Sequence, residues 1–157
     1  MKITSLADNP SDAKLIAKWY FDEWGYTIPS ITEEMVLEKV TSRAANRVDF
    51  PLILTARERN SVVGAAELKF RENKDYPEYT HWIGGVYVTK EMRGNGYAKA
   101  LVLKAIQHSA ALGIKKLYLQ CEEHNKGLYV KLGFQPLHEA VHNGVNTTIF
   151  VLEIDAV

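Results

Sequence analysis

Residues 86–98 read Val-Tyr-Val-Thr-Lys-Glu-Met-Arg-Gly-Asn-Gly-Tyr-Ala, and the longest helical pattern of the chain begins at their end. A strand that runs through a glycine-bearing loop straight into a helix makes an anion site. The first amides of the helix have no partners within it, they point out of its end, and the dipole adds partial positive charge. Gly94 and Gly96 let a phosphate approach the backbone, small Ala98 keeps the first turn open, and Arg93 adds a fixed charge. A plain glycine-rich turn is the alternative reading of Arg-Gly-Asn-Gly alone. Two nucleotide signatures do not apply. Gly94-x-Gly96 continues to Lys99 where a dinucleotide fingerprint wants Gly or Ala, and no GxxxxGK[ST] occurs in the chain.

Downstream, Ala98, Leu101, Val102, Ala105, Ile106 and Ala110 recur at helical steps until Gly113. Residues 115–121 alternate as a strand with Leu117, Leu119 and Cys121 on one face; a short helix over 125–132 stops at Gly133. Strands over 134–142 and 145–154 flank Asn143-Gly144, the sequence of a tight hairpin turn. Upstream, residues 2–6 read as a strand, and Leu15, Ile16, Trp19, Tyr20 and Trp24 as the face of a helix ended by Gly25. A second helix starts near Thr32, whose hydroxyl can cap it. Residues 50–58 and 61–71 form two strands about a turn at Asn60-Ser61. The second is expected to carry Val62, Gly64, Ala66, Leu68 and Phe70 on one face, with Val63, Ala65, Glu67, Lys69 and Arg71 on the other. A polar loop over 72–78 leads to a strand over 79–89, where Gly84-Gly85 suggests a bulge. The order β-α-α-β-β-β-α-β-α-β-β predicts a mixed α/β (α+β) sheet, neither a dinucleotide-binding fold nor a barrel.

Apolar residues make up 46% of the 157 and charged residues 24%, so a folded domain is expected rather than disorder. Lys plus Arg number 19, as do Asp plus Glu, which argues against a generic nucleic-acid or membrane-surface binder. One cysteine, Cys121, excludes an internal disulfide and fits a reducing compartment. No signal-like start and no run near about 18 apolar residues is present, so a cytoplasmic single domain over 1–157 is expected.

Two landmarks, Arg93-x-x-Gly96-x-Ala98 opening the long helix and Leu128-Tyr129-Val130-Lys131-Leu132-Gly133-Phe134 after the next strand, resemble those of the GNAT superfamily of N-acyltransferases. The resemblance follows the whole element order and is strongest from Val86 to Pro136. It implies a mostly antiparallel central sheet flanked by helices and an enzyme that moves an acetyl group from acetyl-CoA to a primary amine by direct attack in a ternary complex. The pyrophosphate would sit on Arg93 and the amides of Gly94, Asn95, Gly96, Tyr97 and Ala98. The pantetheine arm would lie along Val86 to Val88, where a bulge splays the strand from its neighbour. A backbone N–H near Val86 is placed to hold an oxyanion. Tyr129 matches the tyrosine that protonates the departing thiolate; a phenol with a pKa of about 10 holds its proton until that moment.

An amine of pKa about 10.4 is neutral only about once in 2,000 at pH 7, so a base helps the attack. Relatives place a Glu on the central strand, whereas His81-Trp82-Ile83-Gly84-Gly85 has none; Glu67 and His81 are the candidates, each with a plain alternative as a solvated strand residue. Relatives also carry a cofactor-contacting Asn where this chain has Glu122, so Asn125 takes that role or simply caps its helix. The missing strand Glu leaves a second reading, a non-catalytic acyl-CoA-binding module. The acceptor partner is a small-molecule or peptide amine, with no nucleic acid and no membrane; a homodimer is left open.

His138-Glu139-Ala140-Val141-His142 spells the zinc-protease motif HExxH, which needs a helix to bring its histidines together. Pro136 and Asn143-Gly144 make this segment a strand, over which four residues span roughly 13 Å. No metal is therefore expected. Cys121 near His124 reads as a buried strand thiol rather than a nucleophile.

Overall fold

Seven extended segments pair into one sheet in the computed structural model, which describes residues 1–155. In chain order the elements are β1 (Lys2–Ser5), α1 (Ala13–Trp24), α2 (Glu33–Arg43), β2 (Leu52–Glu58), β3 (Ser61–Phe70), β4 (His81–Val88), α3 (Tyr97–Ala111), β5 (Lys116–Cys121), α4 (Lys126–Lys131), β6 (Gln135–His142) and β7 (Val145–Glu153). The predicted order is the observed one. The strands lie side by side as β1-β2-β3-β4-β5-β7-β6, and every neighbouring pair is antiparallel except β4 and β5.

Local chemistry explains the breaks. The Thr32 hydroxyl accepts from the Met35 amide at 3.1 Å and starts α2. At the last hairpin Asn143 and Gly144 have φ of 49° and 78°, the pair of positive values that a type I′ turn requires. No helix among the described residues is long and apolar enough to cross a membrane.

Alternation along the strands gives the sheet two apolar faces. On one, Leu101, Val102 and Ala105 of α3 pack against Leu54, Leu68, Ile83, Leu117 and Phe150, all buried. Each large side chain there contributes about 1.5–3 kcal/mol relative to exposure. On the other, Ile16, Ala17, Trp19 and Tyr20 of α1 and Val40 of α2 cover Ile53 and Ala65. The rest of that second face has no helix. Tyr76 and Tyr79, from the segment between β3 and β4, cover Trp82, Tyr118, Ile149 and Val151 instead.

Two register shifts matter. Ala56 stands opposite Gly64 but Arg57 opposite Val62, so Val63 is an extra residue in β3. That bulge corrects the expected faces: Val63 joins the α3 layer and Val62 the α1–α2 layer. The second shift is the expected one at the glycine pair. Tyr87 faces Ala65 and Gly84 faces Glu67, so Gly85 and Val86 together oppose Ala66. Beyond it β4 leaves β5, and among the described residues the two strands share a single register pair, Trp82 with Tyr118.

Candidate active site

The split between β4 and β5 organises the site. At its root Gly85 has φ +56°, and its carbonyl accepts from the Tyr20 hydroxyl at 2.7 Å. A Cβ on Gly85 would lie 2.9 Å from that hydroxyl oxygen, so glycine is required twice over. Val86 and Val88 follow on the diverging edge, both packed into the α3 layer.

The chain then turns through the glycine loop. Gly94 and Gly96 have φ of 81° and 86°, and a Cβ at either would meet nothing within 4 Å, so open space lies over this backbone. Gly96 heads α3, and no side chain caps the first amides of the helix. Asn95 shapes the loop: its Nδ2 donates to the carbonyls of Met92 at 3.0 Å and Arg93 at 3.3 Å. Arg93 donates from Nε to the Val88 carbonyl at 2.9 Å, and its guanidinium lies 5.4 Å from the Tyr87 ring centroid. The expected contribution of Tyr97 is its amide. Its side chain turns inward, with its hydroxyl donating to Glu58 at 2.5 Å, so only its amide faces the loop. Asn125 stands at the head of α4 and makes no capping side-chain bond, so the helix-cap alternative is not what the structure shows.

Tyr129 sits on α4, edge-on to Phe134 with centroids 6.0 Å apart; the Phe134 amide donates to the Tyr129 carbonyl at 3.0 Å and fixes the turn at Gly133. Burial raises the phenol well above its ordinary value, and neighbouring Cys121 and Glu72 further oppose its ionisation. The proton therefore stays on the oxygen. The Cys121 thiol is pushed up to about 11, by burial first and then by Glu123 and Glu122, which leaves it a poor nucleophile.

The opposite side of the split is made of charged side chains. Glu67 is 7% exposed, and Arg43 Nε approaches its Oε2 at 2.8 Å without the alignment of a hydrogen bond. Two residues on, Lys69 Nζ meets Glu72 Oε1 at 2.6 Å. This pair occupies the room over Gly84, where an added Cβ would lie 2.7 Å from Glu72 Oε1 and 2.8 Å from Lys69 Cε. Burial pulls the Lys69 ammonium down, but Glu72 and Glu67 outweigh it and hold its pKa above the ordinary value. His142 of β6 feels the charges of the same pair. Burial lowers its pKa, Glu72 opposes that, and Lys69 adds to it.

Glu72 was not among the expected residues. The segment that carries it reads as a polar loop, and its placement depends on Asn73, which is 1% exposed. Asn73 Nδ2 donates to Gln120 Oε1 of β5 at 3.1 Å and to the Val141 carbonyl of β6 at 3.3 Å. The one sequence signal was the glycine pair, which leaves room for a side chain from elsewhere.

Of the two expected base candidates, only Glu67 lies on this side. His81 is the first residue of β4 and points to the face that α3 covers, away from the split, and its assignment as a site residue is corrected. It packs against Phe50 and Phe70 and lines a cavity of about 280 Å³ with Asp49, Leu112 and Ile114, at the far end of α3. The 15 residues of α3 separate that end from the glycine loop by roughly 22 Å. The HExxH residues lie in strand β6, where His138 Nε2 meets the Tyr79 hydroxyl at 2.9 Å. Among the described residues no three His, Cys, Asp or Glu groups come together as a metal site.

Residues 14–134 match the model of the acetyltransferase (GNAT) family. Several solved structures share the fold. The yncA protein of Salmonella typhimurium, solved with its cofactor acetyl-CoA, is 20% identical over 92% of this chain and 90% of that one, with a TM-score of 0.73. An N-acetyltransferase from Staphylococcus aureus Mu50 is 18% identical over 99% and 100%, with a TM-score of 0.75. NAA60 of Arabidopsis thaliana, in complex with a bisubstrate analogue, is 19% identical over 94% and 95%, with a TM-score of 0.69.

Proposed function

This chain belongs to the GNAT acetyltransferase family, and on that premise we propose that it transfers an acetyl group from acetyl-CoA to a primary amine by direct attack in a ternary complex. The observation that carries the reading is the continuity of an open edge. It runs from the uncapped amides at Gly96, along β4 at Val88 and Val86, to the level of Tyr129.

The residues fit the group they would hold. Open space over Gly94 and Gly96 admits a pyrophosphate, and the amides from Gly94 to Ala98 take its charge. The unpaired edge of β4 takes an extended, amide-bearing arm as a strand would. Acetyl-CoA bound there supplies an activated acyl group as a thioester. The Val86 amide lies outside the regular ladder and is the donor nearest a developing oxyanion. Tyr129, held protonated by burial, gives its proton to the sulfur. Arg93 steadies the loop through the Val88 carbonyl, and Asn125 offers an unspent amide on the same approach.

A second reading, an acyl-CoA-binding module without catalysis, draws on Gly84, which leaves β4 without a carboxylate of its own. One experiment separates the two. Calorimetric titration with acetyl-CoA and with desulfo-CoA is expected to give micromolar binding of both, and an amine panel is then expected to release thiol. Absence of binding by either would remove the reading; binding without thiol release across the panel would favour the module.

A further inference from the structure

The Lys69–Glu72 pair needs an explanation beyond stability. Taking two charges out of water costs several kcal/mol per ion, and their attraction repays this only in part. Both side chains are largely buried all the same, at 19% and 13% exposure. They stand over Gly84, the last β4 residue before the bulge, at the mouth of the split. Several local features hold Glu72 there. The Arg71 amide donates to the Thr80 carbonyl at 2.9 Å and Arg71 adopts φ +43°, which turns the chain out of β3. Asn73 then fastens the crossing to β5 and β6.

We propose that Glu72 is the carboxylate that receives the acceptor amine and takes its proton, with Lys69 as its positioning residue. This assignment rests on the acetyl-transfer reading and completes it. Glu67 is buried beside Arg43 whereas Glu72 is only partly covered, and His81 points to the α3 face of the sheet. Lys69 of β3 meets Glu72 directly, the Glu72 charge is felt by His142 of β6 and by Tyr129 of α4, and Glu67 acts on the same lysine. Tyr129 packs in the α3 layer while Glu72 lies on the opposite face, so acid and base reach the split from two sides.

The step balances as follows. Glu72 accepts one proton from the acceptor ammonium and releases it to solvent. The freed nitrogen lone pair forms the C–N bond as the C–S bond breaks, and the sulfur keeps that electron pair. Tyr129 gives its proton to the sulfur and is restored by the second proton lost from nitrogen. The sum is ammonium plus thioester to amide, thiol and one proton.

The test compares methylamine, which is protonated at neutral pH, with methoxyamine, which is not. Both are assayed by thiol release at saturating acetyl-CoA. Glu72→Gln is expected to lower kcat/KM for methylamine about 100-fold and for methoxyamine less than about threefold. The methylamine loss should recover as pH rises, and acetyl-CoA affinity should be unchanged. Gly84→Ala, which puts a methyl group into the space of the carboxylate, should show the same selective loss. Equal losses with both amines, or no loss with either, would overturn the assignment of Glu72 and leave acetyl transfer standing. Wild-type protein that binds acetyl-CoA but releases no thiol with these two amines or with any amine of the panel would overturn both together.

Discussion

The two sides of the β4–β5 split are built from different materials. The proposed cofactor side is backbone: one contiguous stretch, residues 86–98, whose glycines open space and whose helix amides carry no side-chain cap. The proposed acceptor side is side chains from scattered elements: Tyr20 of α1, Arg43 of α2, Glu67 and Lys69 of β3, Glu72 beyond it and His142 of β6. A site made of backbone is local and constrains residue type, because only glycine tolerates those dihedral angles cheaply. A site made of distant side chains constrains only the final geometry, and its residues look ordinary in the chain.

That contrast can be broken from either side. The largest effect is expected from Gly96→Glu. It places a carboxylate where phosphate charge should rest and forces φ +86° on a residue with a Cβ. Acetyl-CoA affinity should fall at least about 100-fold by calorimetry, since one displaced anion contact and repulsion act together. Wild-type affinity in that variant would reduce the loop to a turn. Tyr129→Phe sharpens the contrast by separating binding from turnover. Its acetyl-CoA Kd should be unchanged while kcat drops by about 100-fold, the usual scale of a lost general acid. A shifted Kd with intact kcat would move Tyr129 to the binding half.

The smallest effect concerns pH. Burial lowers the pKa of His81 and His142, so both resist protonation in the folded state. A group with its folded value below its unfolded value of about 6.5 binds protons more readily when unfolded. Stability is therefore full above that value and declines as pH falls toward the folded values, ahead of the carboxylate range. A thermal melt series from pH 7.5 to 5 should show Tm falling, and His81→Gln should flatten part of the fall. A flat wild-type series would mean that neither ring is held neutral by the fold.

The same contrast explains what could be read in advance. Element order followed from apolar periodicity, the last hairpin from Asn143-Gly144, and the bulge in β4 from Gly84-Gly85. Each is a short-range signal. What escaped was set by pairing across the sheet. Val62 and Val63 exchanged faces because the register against Ala56 and Arg57 slips by one residue. Glu72 hid in a polar stretch because Asn73 finds Gln120 and Val141 only in the folded molecule. His81 looked like a base because the chain does not announce which face of a strand meets the split.

The single rung between Trp82 and Tyr118 has a mechanical consequence. Seven strands form one sheet by connectivity, but four of them (β1 to β4) and three (β5, β7 and β6) are two plates that share one backbone rung among the described residues and are otherwise joined through α3 and the segment between β3 and β4. A ligand that pairs with the free margin of β4 fills the gap between the plates and supplies backbone bonds the chain lacks. Occupancy then becomes a term in the folding equilibrium, worth about 2.7 kcal/mol at a hundredfold excess of ligand over Kd. The rigidity of this molecule would thus follow the concentration of the compound it consumes.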